Sequence, residues 1–153
     1  MESKYSTYAE DTTSDGLIAS RDHRGFGGFS MGSVNTWCTF RYGLGYFRYF
    51  MPMSGGPAAS VETYENAVMN SGYEWNDFFI FSASGTGDFA YSGFKNGIYA
   101  LAEGDSGIFR FANNEADGNL SFLEREGYAH DGFASDEYTY NGLRFFWNGG
   151  DAS

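Results

Sequence analysis

The run Phe78-Phe79-Ile80-Phe81 constrains this chain most, because it leaves no residue for a solvated face. A strand of continuous apolar residues is buried on both sides, and that happens chiefly in parallel sheets covered by helices. Its neighbours fit the same plan. Residues 24–29 read as a strand, 33–42 as a helix and 46–53 as an aromatic strand closed by Ser54-Gly55-Gly56-Pro57. Ser60 stands before Val61, Tyr64, Ala67 and Val68 at helical spacing, and Ser71-Gly72 supplies the stop. Residues 89–102 predict another helix, interrupted by Gly93 and Gly97; 120–123 predict a last strand and 138–147 a closing helix. Ser14 caps a short helix through Leu17, Ile18 and Ala19. Strands alternating with helices predict an α/β fold, with a mostly parallel sheet and helices on both faces. A length of 153 residues allows one domain with one core, and no internal repeat or low-complexity linker divides it.

Composition narrows the function. Nine Lys and Arg against twenty Asp and Glu give a net charge of −11, which repels a phosphate backbone and argues against a nucleic-acid partner. A hydrophobic content of 42% excludes a disordered acidic tail. Cys38 is the single cysteine, so no intrachain disulfide and no cysteine-based zinc site can form. No apolar run is long enough to span a bilayer, and Met1-Glu2-Ser3-Lys4-Tyr5 lacks the apolar core of a signal peptide. Aromatic residues make up 20% of the chain, enough for some rings to stack on sugars or other rings at the surface.

The chemistry concentrates at Gly28-Phe29-Ser30-Met31-Gly32, a G-x-S-x-G sequence at a predicted strand-to-helix turn. In a nucleophile elbow the serine occupies a strained turn, and flanking glycines, here Gly28 and Gly32, avoid clashes. The amide of Met31 then sits at a helix N-terminus, where it can stabilise an oxyanion. The plainer reading is a glycine-rich turn that lets a helix pack close to a strand. A serine nucleophile needs a base, and the chain has two histidines. His23 lies at the start of the elbow strand, at the far end of the sheet from Ser30, and is expected to be structural. His130 follows the last predicted strand in a glycine-flanked loop, the place of the base in the order Ser, Asp or Glu, His. The acid belongs in the loop after residues 78–81, where Asp88 stands; it would hold the His130 tautomer and stabilise the imidazolium. Asp88 could instead cap the helix that follows. Asp105, Asp117 and Asp131 compete for the role, Asp131 being too close in sequence to reach the His130 ring.

The block Ser20-Arg21-Asp22-His23-Arg24-Gly25-Phe26-Gly27-Gly28-Phe29-Ser30-Met31-Gly32, with Asn35-Thr36-Trp37 beyond it, resembles esterase D-type α/β-hydrolases. Most of all it is similar to the feruloyl esterase domains attached to bacterial xylanases. Residues 46–55, 79–91 and 127–130 extend the resemblance over most of the chain from Tyr5 onward, weakest between Gly104 and Asp117. It implies Ser30 as nucleophile, Asp88 as acid, His130 as base and Met31 as one oxyanion donor, with no cofactor and no metal. It implies hydroxycinnamoyl esters of plant arabinoxylan as substrate, no membrane partner, and an extracellular place within a longer bacterial protein. Acetyl-xylan or small-thioester esterases would share the same residues. Family members carry several strands before the elbow, so the chain resembles the C-terminal half of such a domain. The preceding half, which would supply the second oxyanion amide, or an adjoining xylanase domain is then an expected partner. A non-catalytic remnant with an aromatic carbohydrate-binding surface is the alternative from another class.

Three weaker signals remain. Residues 113–124 mimic a calcium loop, but begin with Asn and run into a predicted strand, so a polar turn ending in Asp117-Gly118 is expected. Asn119-Leu120-Ser121 is a glycosylation sequon, relevant only in a eukaryotic secretory setting. Trp37, Trp75 and Trp147 could meet an aromatic acyl group or a sugar, with core packing the plainer reading.

Overall fold

The computed structural model describes Lys4 and residues 9–147. The elements in chain order are α1 (Ser14–Ala19), β1 (Gly25–Phe29), α2 (Met31–Gly43), β2 (Tyr49–Met53), α3 (Val61–Ser71), β3 (Phe79–Gly85), α4 (Tyr91–Ala102), β4 (Leu120–Arg125) and α5 (Gly132–Phe145). Short 3-10 turns over Arg21–His23 and Trp75–Asp77 lead into β1 and β3. The sheet order is β1-β2-β3-β4 and every pairing is parallel, as the alternation of strands and helices predicts. All residues of β3 are buried, because it lies between β2 and β4 with a helical layer on each side. Phe79, Phe81 and Ala83 face α5 through Ala134, Tyr138 and Phe145. Ile80 faces the other layer, where Trp37 and Phe40 of α2, Tyr64 of α3 and Phe94 and Ile98 of α4 close the core.

The element boundaries depart from the sequence pattern where a side chain or a backbone angle decides. Thr13, and not Ser14, caps α1 by accepting from the Gly16 amide. Helix α2 starts at Met31, two residues before the expected start, because Ser30 turns the chain with φ of 58° and helix follows at once. Tyr46 and Phe47 fall outside β2: their amides bond to the Gly43 carbonyl at 2.9 and 3.2 Å, tightening the end of α2. Helix α5 begins at Gly132, well before residue 138, since Asp131 caps it by accepting from Ala134 N at 2.9 Å. Ser60 and Gly72 bound α3 as expected, the serine accepting from Thr63 N and the glycine taking φ of 81°.

Two buried polar side chains tie loops to this frame. Arg21 donates from Nε to the Leu44 carbonyl at 2.5 Å and from Nη2 to the Asp77 carbonyl at 2.6 Å, while its guanidinium lies over the Tyr73 ring. Burial lowers its pKa. Asn119, the residue of the sequon, is fully buried and bonds Trp75 O, Ile108 O and Arg110 N at 2.7–2.8 Å, so it is no glycan acceptor in the folded chain. The polar turn before it is held by Asn114 Oδ1, which accepts from Ala116 N and Asp117 N. Trp37 is in the core, whereas Trp147 is 45% exposed and donates to the Asp22 carbonyl at 2.9 Å.

Candidate active site

At the C-terminal ends of the parallel strands, loops from three connections converge. Ser30 links β1 to α2 with φ 58° and ψ −114°, a strained conformation for a residue bearing a side chain. Its amide bonds to the Met53 carbonyl at 2.9 Å, so the turn is braced by β2. A Cβ on Gly28 would lie 2.7 Å from the backbone of Gly32, which makes glycine a steric requirement at that position. A Cβ on Gly32 would meet nothing within 4 Å, so the expected clash falls on one of the two glycines alone. Ser33 Oγ and Trp37 Nε1 of α2 both donate to the Gly55 carbonyl, at 2.5 and 3.0 Å, and fasten the loop after β2 against the helix.

The second and third loops are laced to one another. Gly87 N donates to the Tyr128 carbonyl at 3.1 Å and Gly127 N to Thr86 Oγ1 at 2.8 Å. Gly85 permits the approach, since a Cβ there would lie 2.1 Å from the Tyr128 carbonyl oxygen. This lacing carries Asp88 to His130. Both carboxylate oxygens of Asp88 lie 2.9 Å from His130 Nδ1, and His130 Nε2 lies 2.8 Å from Ser30 Oγ. A carboxylate only accepts, so the proton of the neutral ring sits on Nδ1 and Nε2 is left to accept from the Ser30 hydroxyl. Asp88 also accepts from Ala90 N at 2.8 Å, which braces the turn before α4; it does not cap that helix, whose N-cap is Ala90 with no side-chain cap bond. Its side chain is fully buried, which strengthens its pull on Nδ1–H.

Two phenyl rings lie against the imidazole: Phe29 with centroids 4.6 Å apart, and Phe89 with 4.4 Å. Phe89 is 83% exposed, so it walls the site without belonging to the core. Phe29 fills a variable position of the G-x-S-x-G sequence and Phe89 adjoins Asp88, so residue type marks neither, and only the turn geometry brings each ring to His130. Beneath them Tyr138 has a buried hydroxyl with no partner among the described residues, and burial, reinforced by the nearby Asp88 charge, pushes its pKa up to about 12. Met31 opens α2, so its amide is among those with no intrahelical acceptor, at the positive end of the helix dipole.

The other candidates lie elsewhere. Asp131 is the α5 cap, Asp117 is bonded by Asn114 Nδ2 at 2.7 Å in the exposed turn, and Asp105 sits in a turn beyond α4. His23 ends the 3-10 turn before β1, at the opposite end of that strand from Ser30. Among the described residues no group of three or more His, Cys, Asp or Glu is placed to hold a metal ion, and no helix is long and apolar enough to cross a membrane.

No family model matches the chain. It is 38% identical over 154 residues to endo-1,4-beta-xylanase Y of Acetivibrio thermocellus, an alignment covering 97% of this chain and 14% of the xylanase. A serine-to-alanine mutant of the feruloyl esterase module from Clostridium thermocellum, solved in complex with sinapinate, superimposes with a TM-score of 0.91 at 37% identity. That match covers 97% of this chain and 54% of the module. A second solved structure, of a protein called FAE, gives 0.90 at 37% identity, covering 99% of this chain and 55% of the other. In sequence and in α/β fold the chain is similar to the feruloyl esterase module, and it spans about half of that module's length and 14% of the xylanase.

Proposed function

We propose that this chain carries the reaction centre of a serine carboxylic ester hydrolase that releases ferulate or a related hydroxycinnamate from plant cell-wall arabinoxylan. One observation carries the reading: Ser30 Oγ, His130 Nε2, His130 Nδ1 and the Asp88 carboxylate form a continuous hydrogen-bonded line, with spacings of 2.8 and 2.9 Å. Ser30 Oγ attacks the ester carbonyl as its proton passes to His130 Nε2, and Asp88 stabilises the imidazolium. The Met31 amide is one donor to the oxyanion. The tetrahedral intermediate collapses with cleavage of the bond to the sugar oxygen, which takes the proton from Nε2. Water then attacks the acyl-Ser30 carbonyl and gives a proton to His130; collapse releases the carboxylic acid and returns the proton to Ser30 Oγ. The exposed phenyl ring of Phe89 beside His130 supports an aromatic acyl group over acetate.

The same reading places the chain within a larger protein outside the cell, alongside an adjoining xylanase domain. Strand β1 pairs with β2 alone among the described residues, and further strands on its open side would supply the second oxyanion donor. The test is treatment of the purified chain with a fluorophosphonate, weighed intact beside Ser30→Ala and a heat-unfolded control, followed by hydrolysis of methyl ferulate and acetylated xylan. A single adduct that requires Ser30 and the fold, with methyl ferulate preferred, is expected. No adduct on folded chain would overturn the assignment of Ser30, and a strong acetate preference would overturn the acyl class.

A further inference from the structure

Beyond the reaction centre, the outer face of α4 and the edge strand β4 carry a second arrangement of rings. Tyr91, Lys95 and Tyr99 recur at every fourth position of α4 and stand in one row. The Lys95 ammonium lies 5.6 Å from the Tyr91 ring centroid and 5.7 Å from that of Tyr99. It is anchored there by the two Glu124 oxygens at 3.0 and 3.2 Å, and the Tyr91 hydroxyl donates to the same carboxylate. Tyr99 packs against Phe111 with centroids 5.1 Å apart, and the two rings remain 42% and 43% exposed. Together with Phe122 and Asn113 they border a hollow of about 280 Å³. The row begins two residues past Phe89, the ring against His130, and runs roughly 12 Å along the helix at its usual rise per residue.

Half-exposed rings alternating with charged and amide groups match one ligand chemistry well. A pyranose presents C–H faces that pack on an aromatic ring and a rim of hydroxyls that bond to carboxylate, ammonium or amide. An apolar peptide or a lipid would have to desolvate the Lys95–Glu124 pair, which costs free energy. A phosphate chain meets a cation already neutralised by Glu124, on a molecule of net charge −11. We propose that this strip is a subsite for the polysaccharide backbone bearing the scissile ester, gripping a stretch of sugar chain that leads away from the Ser30 end of the sheet along α4. The inference rests on the esterase reading above, and extends it from the ester bond to the polymer.

The experiment is affinity electrophoresis of the whole chain through gels with and without soluble arabinoxylan, with methyl ferulate turnover and fluorophosphonate labelling on the same samples. Wild type should be retarded by arabinoxylan. The Tyr99→Ala/Phe111→Ala double variant should lose about tenfold in polymer affinity while its methyl ferulate turnover stays unchanged. Tyr99→Phe, which keeps the ring face, should be retarded like wild type. Phe111→Leu retains apolar bulk without a ring and should lose retardation even if the double variant fails to fold. Unretarded wild type, or ring-deleted variants retarded as wild type is, would overturn the subsite. Retardation that depends on these rings in a chain that takes no fluorophosphonate would uphold the subsite and sink the esterase reading.

Discussion

Gly28→Ala, paired with Gly32→Ala, tests whether the geometry of the Ser30 turn is set by one close contact. The added Cβ at position 28 would lie 2.7 Å from Gly32 Cα, C and O, whereas relaxed carbon contacts lie at about 3.5–4.0 Å. The first turn of α2 must therefore retreat from β1 by roughly 1 Å. Such overpacking costs about 1–3 kcal/mol, or roughly 3–10 °C in Tm for a chain of this size. The retreat also carries the Met31 amide and Ser30 away from His130, and a displacement of about 1 Å in a reacting geometry costs on the order of 100-fold in rate. Gly32→Ala adds a methyl where nothing lies within 4 Å, in a helix that favours alanine over glycine by up to about 1 kcal/mol. The assay is the fluorophosphonate labelling rate by intact mass, beside thermal melts. Gly28→Ala should melt lower and label about 100-fold more slowly; Gly32→Ala should melt slightly higher and label as wild type does. Equal losses in the two variants would refute the contact as the cause.

Two further outcomes follow from the site and its flank. Asp88→Asn keeps an acceptor for Ala90 N but turns an amide toward His130 Nδ1, which favours the tautomer with the proton on Nε2; ester turnover should fall by about 10⁴ with little change in Tm, and a loss below tenfold would contradict the role given to Asp88. The Glu124 carboxyl is held below the usual range, first by the hydrogen bond from Tyr91 and then by Lys95. Folding therefore favours its charged form: the contribution is complete above the ordinary glutamate pKa of about 4.3 and is lost as pH falls through the lower folded value. With the side chain 34% exposed the effect is small, so Glu124→Gln should lower Tm by a few degrees at most near neutral pH, and the gap should close in acid and in high salt. A gap that widens in acid would show the sign to be wrong.

How far the fold and site are legible in the residues differs from place to place. The apolar run at 78–81 announces a doubly covered strand, and β3 is central and wholly buried. Ser60 and Gly72 announce the ends of α3, because a cap and a left-handed stop act within a few residues. By contrast the start of α5 is hidden: the pattern suggests a helix only from residue 138, and nothing nearby in sequence marks Asp131 as its cap. Asn119 carries a sequon, yet its burial against three backbone partners depends on chain segments that its neighbours do not encode. Phe89 carries no motif at all.

Local sequence is enough to set the alternation of strands and helices, the strained turn at Ser30, and the order in which serine, acid and histidine appear. These are short-range matters of backbone preference, side-chain periodicity and chain direction. Chain order points to Asp88, but its contact with His130 is a product of the folded molecule. Asp88 is 42 residues from His130, and His130 is 100 residues from Ser30. They converge because parallel strands end side by side, and because Gly85 lets the Asp88 and His130 loops approach to hydrogen-bonding distance. The requirement for glycine at 28 but not at 32, the ring of Phe89 on the imidazole and the strip along α4 also belong to the folded molecule. The ring of Phe89 on the imidazole and the strip against β4 are contacts between segments distant in sequence, whereas the glycine at 28 answers to a contact only four residues away whose distance the folded turn sets.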